Sequence, residues 1–171
     1  PTADGNVPYF GGYDDSPTAP WFYSTPVPPE LWIAPGSSKL DIENSTMYLE
    51  LIALFILLWI SVDRRYYGRR KHGFAVRWYS DSQAGVNAWR RQSSRRPYCN
   101  HLIKHIGFLC SRSGIYVEAL FVPREENVAA DALTHRSLAQ FTSLTDIHPS
   151  RERDPGPTPL SEVLTLRSPS V

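Results

Sequence analysis

The sequence predicts an α/β fold built on one mixed sheet. Residues 115–122 alternate apolar and polar side chains with the period of a strand, and residues 74–80 form a second strand-like run. Apolar residues at helical spacing separate these runs, at Ile103, Ile106 and Leu109–Cys110, and a mostly apolar helical segment, residues 46–61, precedes them. Strands that alternate with helical segments indicate an α/β layout.

The segment before the first helix is rich in glycine, proline and aromatic residues. It predicts short antiparallel strands over residues 7–13 and 21–24, because turn-forming residues separate two runs of β-favouring side chains. A further strand is expected at Asp4, which gives three strands before the first helix.

The first helix is predicted over residues 46–61, and it is apolar nearly all round, so it should be buried on most sides. Its apolar run covers residues 51–62, whereas a membrane-spanning helix needs about 20 such residues. A soluble protein is therefore favoured. The alternative is a small membrane-attached protein anchored by residues 49–62, with the cationic residues of 64–71 on the cytoplasmic side.

The rest of the fold should contain three more helices. They are predicted over residues 82–91, from Pro97 through Cys110 with Gly114 as the stop, and over residues 125–136. From residue 137 the composition changes, and residues 149–171 contain five prolines without a sustained apolar period. We therefore predict one domain over residues 1–136 and a flexible tail or linker over residues 137–171.

The two cysteines, Cys99 and Cys110, lie in one predicted helix. A separation of eleven residues along a helix is roughly 16 Å, too far for a disulfide. Unpaired thiols and an intracellular location, cytoplasmic or nuclear, are therefore expected.

Four carboxylates are the candidate catalytic and metal-binding residues: Asp4, Glu50, Asp81 and Asp131. Asp81 follows a predicted strand, where it could also serve as a helix N-cap. Glu50 and Asp131 lie among apolar residues of helices that must pack inward, and neither helix supplies a nearby basic partner. A cation shared by several carboxylates would balance such charges, and an all-oxygen donor set suits Mg²⁺.

These residues lie in motifs that resemble the ribonuclease H family, in particular the domain that follows reverse transcriptase in gypsy-like and DIRS-like retrotransposons. The family's second-aspartate motif resembles Ser80-Asp81-Ser82-Gln83-Ala84. The retroelement ending resembles Phe121-Val122-Pro123-Arg124-Glu125-Glu126-Asn127-Val128-Ala129-Ala130-Asp131-Ala132-Leu133. The helix that carries the family's glutamate is similar to Glu50-Leu51-Ile52-Ala53-Leu54, and Asp4 followed by Gly11-Gly12 resembles the first strand.

The resemblance covers residues 1–136 and implies a five-stranded mixed sheet with helices on both faces. It implies that the four carboxylates hold two Mg²⁺ ions, which lie about 4 Å from each other, and that Mn²⁺ can replace Mg²⁺. The implied activity is endonucleolytic cleavage of the RNA strand of an RNA–DNA hybrid, leaving a 5′-phosphate and a 3′-hydroxyl. It further implies substrate or metal-proximal roles for Ser45, Gln83 and Asn127, and a reverse transcriptase domain in the same polyprotein.

Two positions depart from the family pattern. Phe121 occupies the place of a histidine found in cellular members, and Met47 that of an asparagine found before the glutamate. The second hypothesis is an inactive module of the same fold that binds nucleic acid or braces a neighbouring polymerase.

Local clusters of positive charge, rather than the net charge of +1, indicate a polyanionic partner. One cluster follows the predicted helix after Asp81 and is the candidate nucleic-acid contact: Arg90, Arg91, Arg95 and Arg96. A second lies within residues 64–72, where a solvated turn is an equally good interpretation.

Overall fold

The computed structural model of the 171-residue chain describes residues 7–28, 39–62 and 74–156. These residues form an α/β structure with five α-helices and four strands, which confirms the predicted class. They fall into two compact units. The β1–β2 unit contains the first two strands and Pro123–Pro155, and the β3–β4 unit contains Thr46–Val122.

The first two strands form an antiparallel ribbon, as predicted. β1 (Tyr9–Asp14) pairs with β2 (Trp21–Pro26), and the register places Gly11 opposite Ser24. An Asx turn opens the connection, since the Ser16 amide donates to Asp14 Oδ1 at 2.8 Å. The further strand predicted at Asp4 lies outside the described residues.

Helix α1 (Lys39–Val62) contains the predicted segment 46–61 and begins seven residues earlier. Leu51, Ile52 and Ile56 are fully buried, in agreement with the expectation that the helix is covered on most sides. Within the described ranges, no helix combines the length and apolar content that a bilayer crossing requires.

The β3–β4 unit is built on a parallel strand pair. β3 (Phe74–Ser80) and β4 (Ile115–Phe121) pair in register from Phe74 opposite Ile115, and two helices connect them. Such a helical crossover is the usual link between parallel strands. Both strands lie where the sequence predicted them. In the described residues, however, the strands form two sheets of two, not one mixed sheet of five, because β1 pairs with β2 and β3 pairs with β4.

The two crossover helices end at recognisable signals. α2 (Gln83–Arg91) is capped by Ser82, whose Oγ accepts from the Gly85 amide. α3 (Pro97–Ser113) has proline in its first turn and ends at Gly114 with a left-handed φ of 67°. Cys99 and Cys110 are buried, and no disulfide joins them, as predicted. Burial raises the pKa of the Cys110 thiol to about 11, so this thiol is protonated at neutral pH.

The end of the β1–β2 unit corrects two predictions. The predicted helix over residues 125–136 is a 3-10 turn, Arg124–Glu126, followed by α4 (Val128–Thr134). The predicted flexible tail from residue 137 begins instead with α5 (Leu138–Thr145). Phe141 of this helix is fully buried in a cluster with Phe22 and Leu133, so α5 belongs to the core.

Residues beyond α5 also bind the β1–β2 unit. Arg136 Nη1 and Nη2 both donate to the Glu152 carboxylate, and the Arg153 amide donates to the Phe22 carbonyl at 2.8 Å. The boundary predicted at residue 136 was therefore placed too early. Residues 157–171 of the predicted tail lie outside the described residues.

Candidate functional site

Glu50 and Asp81 lie close enough to interact electrostatically near the carboxyl end of β3. The last residue of that strand, Ser80, is 1% exposed, and its Oγ donates to Glu50 Oε2 at 2.8 Å. Ser80 Oγ also accepts a hydrogen bond from the Ser82 amide at 3.1 Å, which fixes the chain as it turns from the strand into α2. Ser80 therefore links the glutamate of α1 to the strand end that carries Asp81.

The surroundings of Glu50 favour its neutral form. Burial raises the pKa of this carboxyl above its usual range, the Ser80 hydrogen bond lowers it in part, and the negative charge of Asp81 raises it again. A buried carboxylate that is repelled by a neighbouring carboxylate is in the electrostatic condition that a bound cation relieves. This pair is the strongest candidate metal-binding feature of the β3–β4 unit.

The identity of the α2 N-cap residue decides whether Asp81 has a capping role. Ser82, rather than Asp81, is the N-cap residue, so the structural alternative weighed for Asp81 does not apply. Asp81 remains partly exposed beside the buried serines on either side of it. Its carboxylate is thus accessible to a ligand from solvent.

Asp131 has partners that the sequence analysis did not find. Its Oδ1 lies 3.7 Å from Arg124 Nη2 and its Oδ2 lies 3.7 Å from His135 Nδ1. The side chain is 45% exposed, so it is not the inward-facing, unpartnered charge that the helix pattern predicted. Arg124 was overlooked because it precedes the helix, in the 3-10 turn, whereas His135 follows Asp131 by four residues and could have been found from helical spacing.

The four predicted carboxylates thus fall into three groups by their place in the structure. Glu50 and Asp81 come together in the β3–β4 unit, Asp131 lies in the β1–β2 unit, and Asp4 lies outside the described residues. Among the residues that the structure describes, no cluster of three or more histidine, cysteine, aspartate or glutamate side chains could hold a metal.

The predicted substrate contacts lie on exposed or partly exposed positions. Gln83 opens α2, and its Nε2 donates to Asn87 Oδ1 at 3.2 Å. Asn127 precedes α4, and its carbonyl accepts from the Asp131 amide at 3.0 Å. The side chain of Ser45 lies outside the described part of the chain.

The predicted arginine cluster spans the end of α2 and the start of α3. Arg91 and Arg95 are exposed, and Arg96 is the partly exposed residue that precedes α3. Arg90 is also exposed, but its Nε donates to the Ala119 carbonyl at 2.9 Å, which ties it to β4. Arg91 and Arg95 therefore present the most accessible positive charge of this cluster.

The candidate site residue that sequence reasoning missed is Ser80. A serine at a strand end is ordinary, and only its burial beside Glu50 distinguishes it. Comparison with family models, curated proteins and solved structures gave no match to this chain.

Proposed function

We propose that this chain is a metal-dependent ribonuclease H, a retroelement domain of the RNase H-like fold that hydrolyses the RNA strand of RNA–DNA hybrids. The observation that carries the proposal is the Glu50–Asp81 carboxylate pair at the end of a parallel strand, linked through Ser80. The motif around Asp131 supports it from the sequence side. A reverse transcriptase domain in the same polyprotein is the proposed neighbour.

The donor chemistry of the pair fits Mg²⁺. Both side chains offer carboxylate oxygens, the hard ligands that Mg²⁺ prefers, and Mn²⁺ accepts the same donors. Burial and mutual repulsion disfavour the ionised form of Glu50, and a divalent cation would stabilise it. When bound, the metal would supply positive charge at the scissile phosphate and an activated water.

The protein's own residues prepare this chemistry. The Ser80 hydroxyl holds one Glu50 oxygen, which leaves the other for a cation, and the Ser82 cap fixes the backbone on which Asp81 sits. The resemblance to the family also assigns Asp131 and Asp4 to the ligand set, and in the proposal Arg91 and Arg95 bind backbone phosphates of the hybrid.

The test is cleavage of a labelled RNA–DNA hybrid in Mg²⁺ by the wild-type chain and by Asp81→Asn and Asp131→Asn. We expect each substitution to lower the cleavage rate by about 100-fold or more, since removal of a neighbouring second-sphere group already costs about 10–100-fold. Asp146→Asn, an exposed residue that ends α5, is the matched control and should cleave at the wild-type rate. Full activity in both site variants would refute the proposal.

The second candidate is an inactive module that binds hybrid without cutting it. The exposed arginines of the α2–α3 connection favour binding, and Phe121 stands where cellular members of the family have a histidine. Tight hybrid binding by the wild-type chain with no cleavage in either Mg²⁺ or Mn²⁺ would select this function over the nuclease.

A further inference from the structure

A second group of potential metal ligands lies on α3, apart from the carboxylate pair. His101 and His105 are separated by one helical turn, so their side chains share a face. Their Nε2 atoms lie 2.7 Å apart, and the ring centroids are 4.3 Å apart. Both rings are partly exposed. One ring donates a proton to the other, so the accepting nitrogen directs a lone pair into the space between them.

Two imidazole nitrogens held together by one helix form a chelate. Imidazole suits zinc, copper and nickel ions, and its nitrogen binds such a metal at about 2.0–2.1 Å. At that bond length, two nitrogens lie about 2.9 Å apart at a right angle and about 3.3 Å apart at a tetrahedral angle. The observed 2.7 Å lies closer to the right-angle arrangement, which square-planar Cu²⁺ and Ni²⁺ adopt.

The lowered pKa of His101 is consistent with a metal-binding role. Burial, followed by repulsion from His105 and Lys104, lowers the pKa of His101 below its usual value. Neutral imidazole is the form that binds metals.

We propose that His101 and His105 form a two-histidine site for a divalent transition-metal ion, with Cu²⁺ bound more tightly than Ni²⁺ or Zn²⁺. The preference for Cu²⁺ follows from the right-angle spacing and from the general affinity order of divalent metals. Solvent or a ligand from a partner takes the other coordination positions. The site is independent of the proposed nuclease function, because Mg²⁺ selects oxygen ligands and would not occupy it.

The experiment is a calorimetric titration of the full-length chain, free of any histidine tag, with Cu²⁺, Ni²⁺, Zn²⁺ and Mg²⁺. We expect one Cu²⁺ site that is lost or weakened by about tenfold or more in His101→Asn and in His105→Asn, since each variant keeps only one of the two linked ligands. His148→Asn is the matched control, because His148 is an exposed histidine on a different segment. That variant should bind Cu²⁺ as the wild type does.

A second measurement guards against variants that fail to fold. Electron paramagnetic resonance of the wild-type chain with one equivalent of Cu²⁺ should show coupling to two imidazole nitrogens. Coupling to one nitrogen or none, or wild-type Cu²⁺ affinity in a folded His105→Asn variant, would overturn the proposal. Hybrid cleavage in Mg²⁺ should be the same in His105→Asn and in the wild type, so the two proposals can fail separately.

Discussion

Ser80 Oγ donates a 2.8 Å hydrogen bond to Glu50 Oε2, and so joins α1 to the carboxyl end of β3 across 30 residues of sequence. The serine is almost fully buried and also accepts from the Ser82 amide. A neutral hydroxyl offsets only part of the cost of burying a carboxylate, and for that reason the pKa of Glu50 stays raised. Ionised Glu50 is therefore a source of instability in the metal-free fold.

The first prediction is that Glu50→Gln stabilises the metal-free chain at neutral pH while it removes cleavage. Because the pKa of Glu50 is higher in the folded than in the unfolded chain, the folded state binds more protons between the two values, and stability falls as pH rises through that window. Glutamine does not titrate and can still accept the Ser80 hydrogen bond. We expect a melting temperature higher by about 2 °C or more at pH 7.5 in EDTA.

The difference in melting temperature should narrow as pH falls toward about 4, where the glutamate is mostly protonated in both the folded and the unfolded chain. Thermal denaturation between pH 4 and 8 measures it. Glu126→Gln, an exposed residue of the 3-10 turn, is the control and should follow the wild type. A lower melting temperature for Glu50→Gln than for the wild type at pH 7.5 would contradict the prediction.

The second prediction concerns Ser80→Ala. The substitution removes the donor to Glu50 and leaves the buried Ser82 amide without its acceptor, so we expect a loss of about 1–3 kcal/mol in the free energy of unfolding. The Ser80 hydrogen bond lowers the pKa of Glu50, so its removal should raise that pKa further. The acidic limb of the pH–rate profile for hybrid cleavage should then move to higher pH. Ser93→Ala, at an exposed position, should leave both quantities unchanged. An unshifted acidic limb in Ser80→Ala would argue against the role assigned to this hydroxyl.

The fold could be predicted from sequence where its signals are local. The α3 helix follows from proline at its start and glycine at its end, and β4 from the alternation that begins at Ile115. The α5 helix was missed because its place in the core depends on Phe141 meeting Phe22, 119 positions earlier in the chain. The pairing of strands into two sheets depends on such distant contacts too.

The candidate site, like the fold, could be predicted from sequence only in part. Asp81 and Glu50 could be singled out from their motifs, since each follows or lies within a recognisable element. Their partner Ser80 could not, because a hydroxyl at a strand end carries no pattern of its own. The exposed setting of Asp131 was missed because helical periodicity cannot show which side of a short helix faces solvent.

The third prediction tests whether α5 is part of the fold. Phe141 is fully buried, 4.8 Å from the Phe22 ring centroid and 5.5 Å from that of Tyr13. Phe141→Ala should therefore lower the free energy of unfolding by about 3–5 kcal/mol. Leu144→Ala is the control, because that side chain lies on the same helix and is 49% exposed, and it should cost well under half as much. Urea denaturation measures the free energy of unfolding of both variants. Equally small losses in the two would mean that α5 is not part of the folded core.

The fourth prediction concerns the close approach of α4 to β1. A methyl group on Gly11 would lie 2.5 Å from Leu133 Cβ and 3.0 Å from the Leu133 carbonyl carbon, so backbone must move to admit it. We expect Gly11→Ala to destabilise the chain by about 1–3 kcal/mol, the usual cost of overpacking. We expect no such destabilisation from Gly107→Ala, because its methyl group would contact only Gln92 Oε1, at 3.9 Å. Within α3 this change should stabilise by up to about 1 kcal/mol. Thermal denaturation distinguishes the signs, and a Gly11→Ala chain as stable as the wild type would be inconsistent with the contact.

The last prediction concerns binding of the hybrid, whichever of the two proposed functions is correct. Arg91 and Arg95 are exposed near the junction of α2 and α3, whereas Arg90 is tied to β4 by its bond to Ala119. The double substitution of Arg91 and Arg95 by glutamine should therefore weaken hybrid binding with little effect on folding.

The salt dependence of binding identifies the cause. Each phosphate contact contributes about 0.7–0.9 to the slope of log affinity against log salt, so the double variant should lose about 1.5 from that slope. Fluorescence anisotropy at salt concentrations between about 50 and 200 mM measures this slope, because affinity falls steeply over that range. The titrations contain Ca²⁺ in place of Mg²⁺, so that the hybrid is bound without being cleaved. Arg77→Gln is the matched control, because Arg77 is an exposed arginine on β3 that pairs with Glu118 at 3.2 Å. An unchanged slope in the double variant would place the hybrid on a different surface, because phosphate contacts cannot be removed without reducing counterion release.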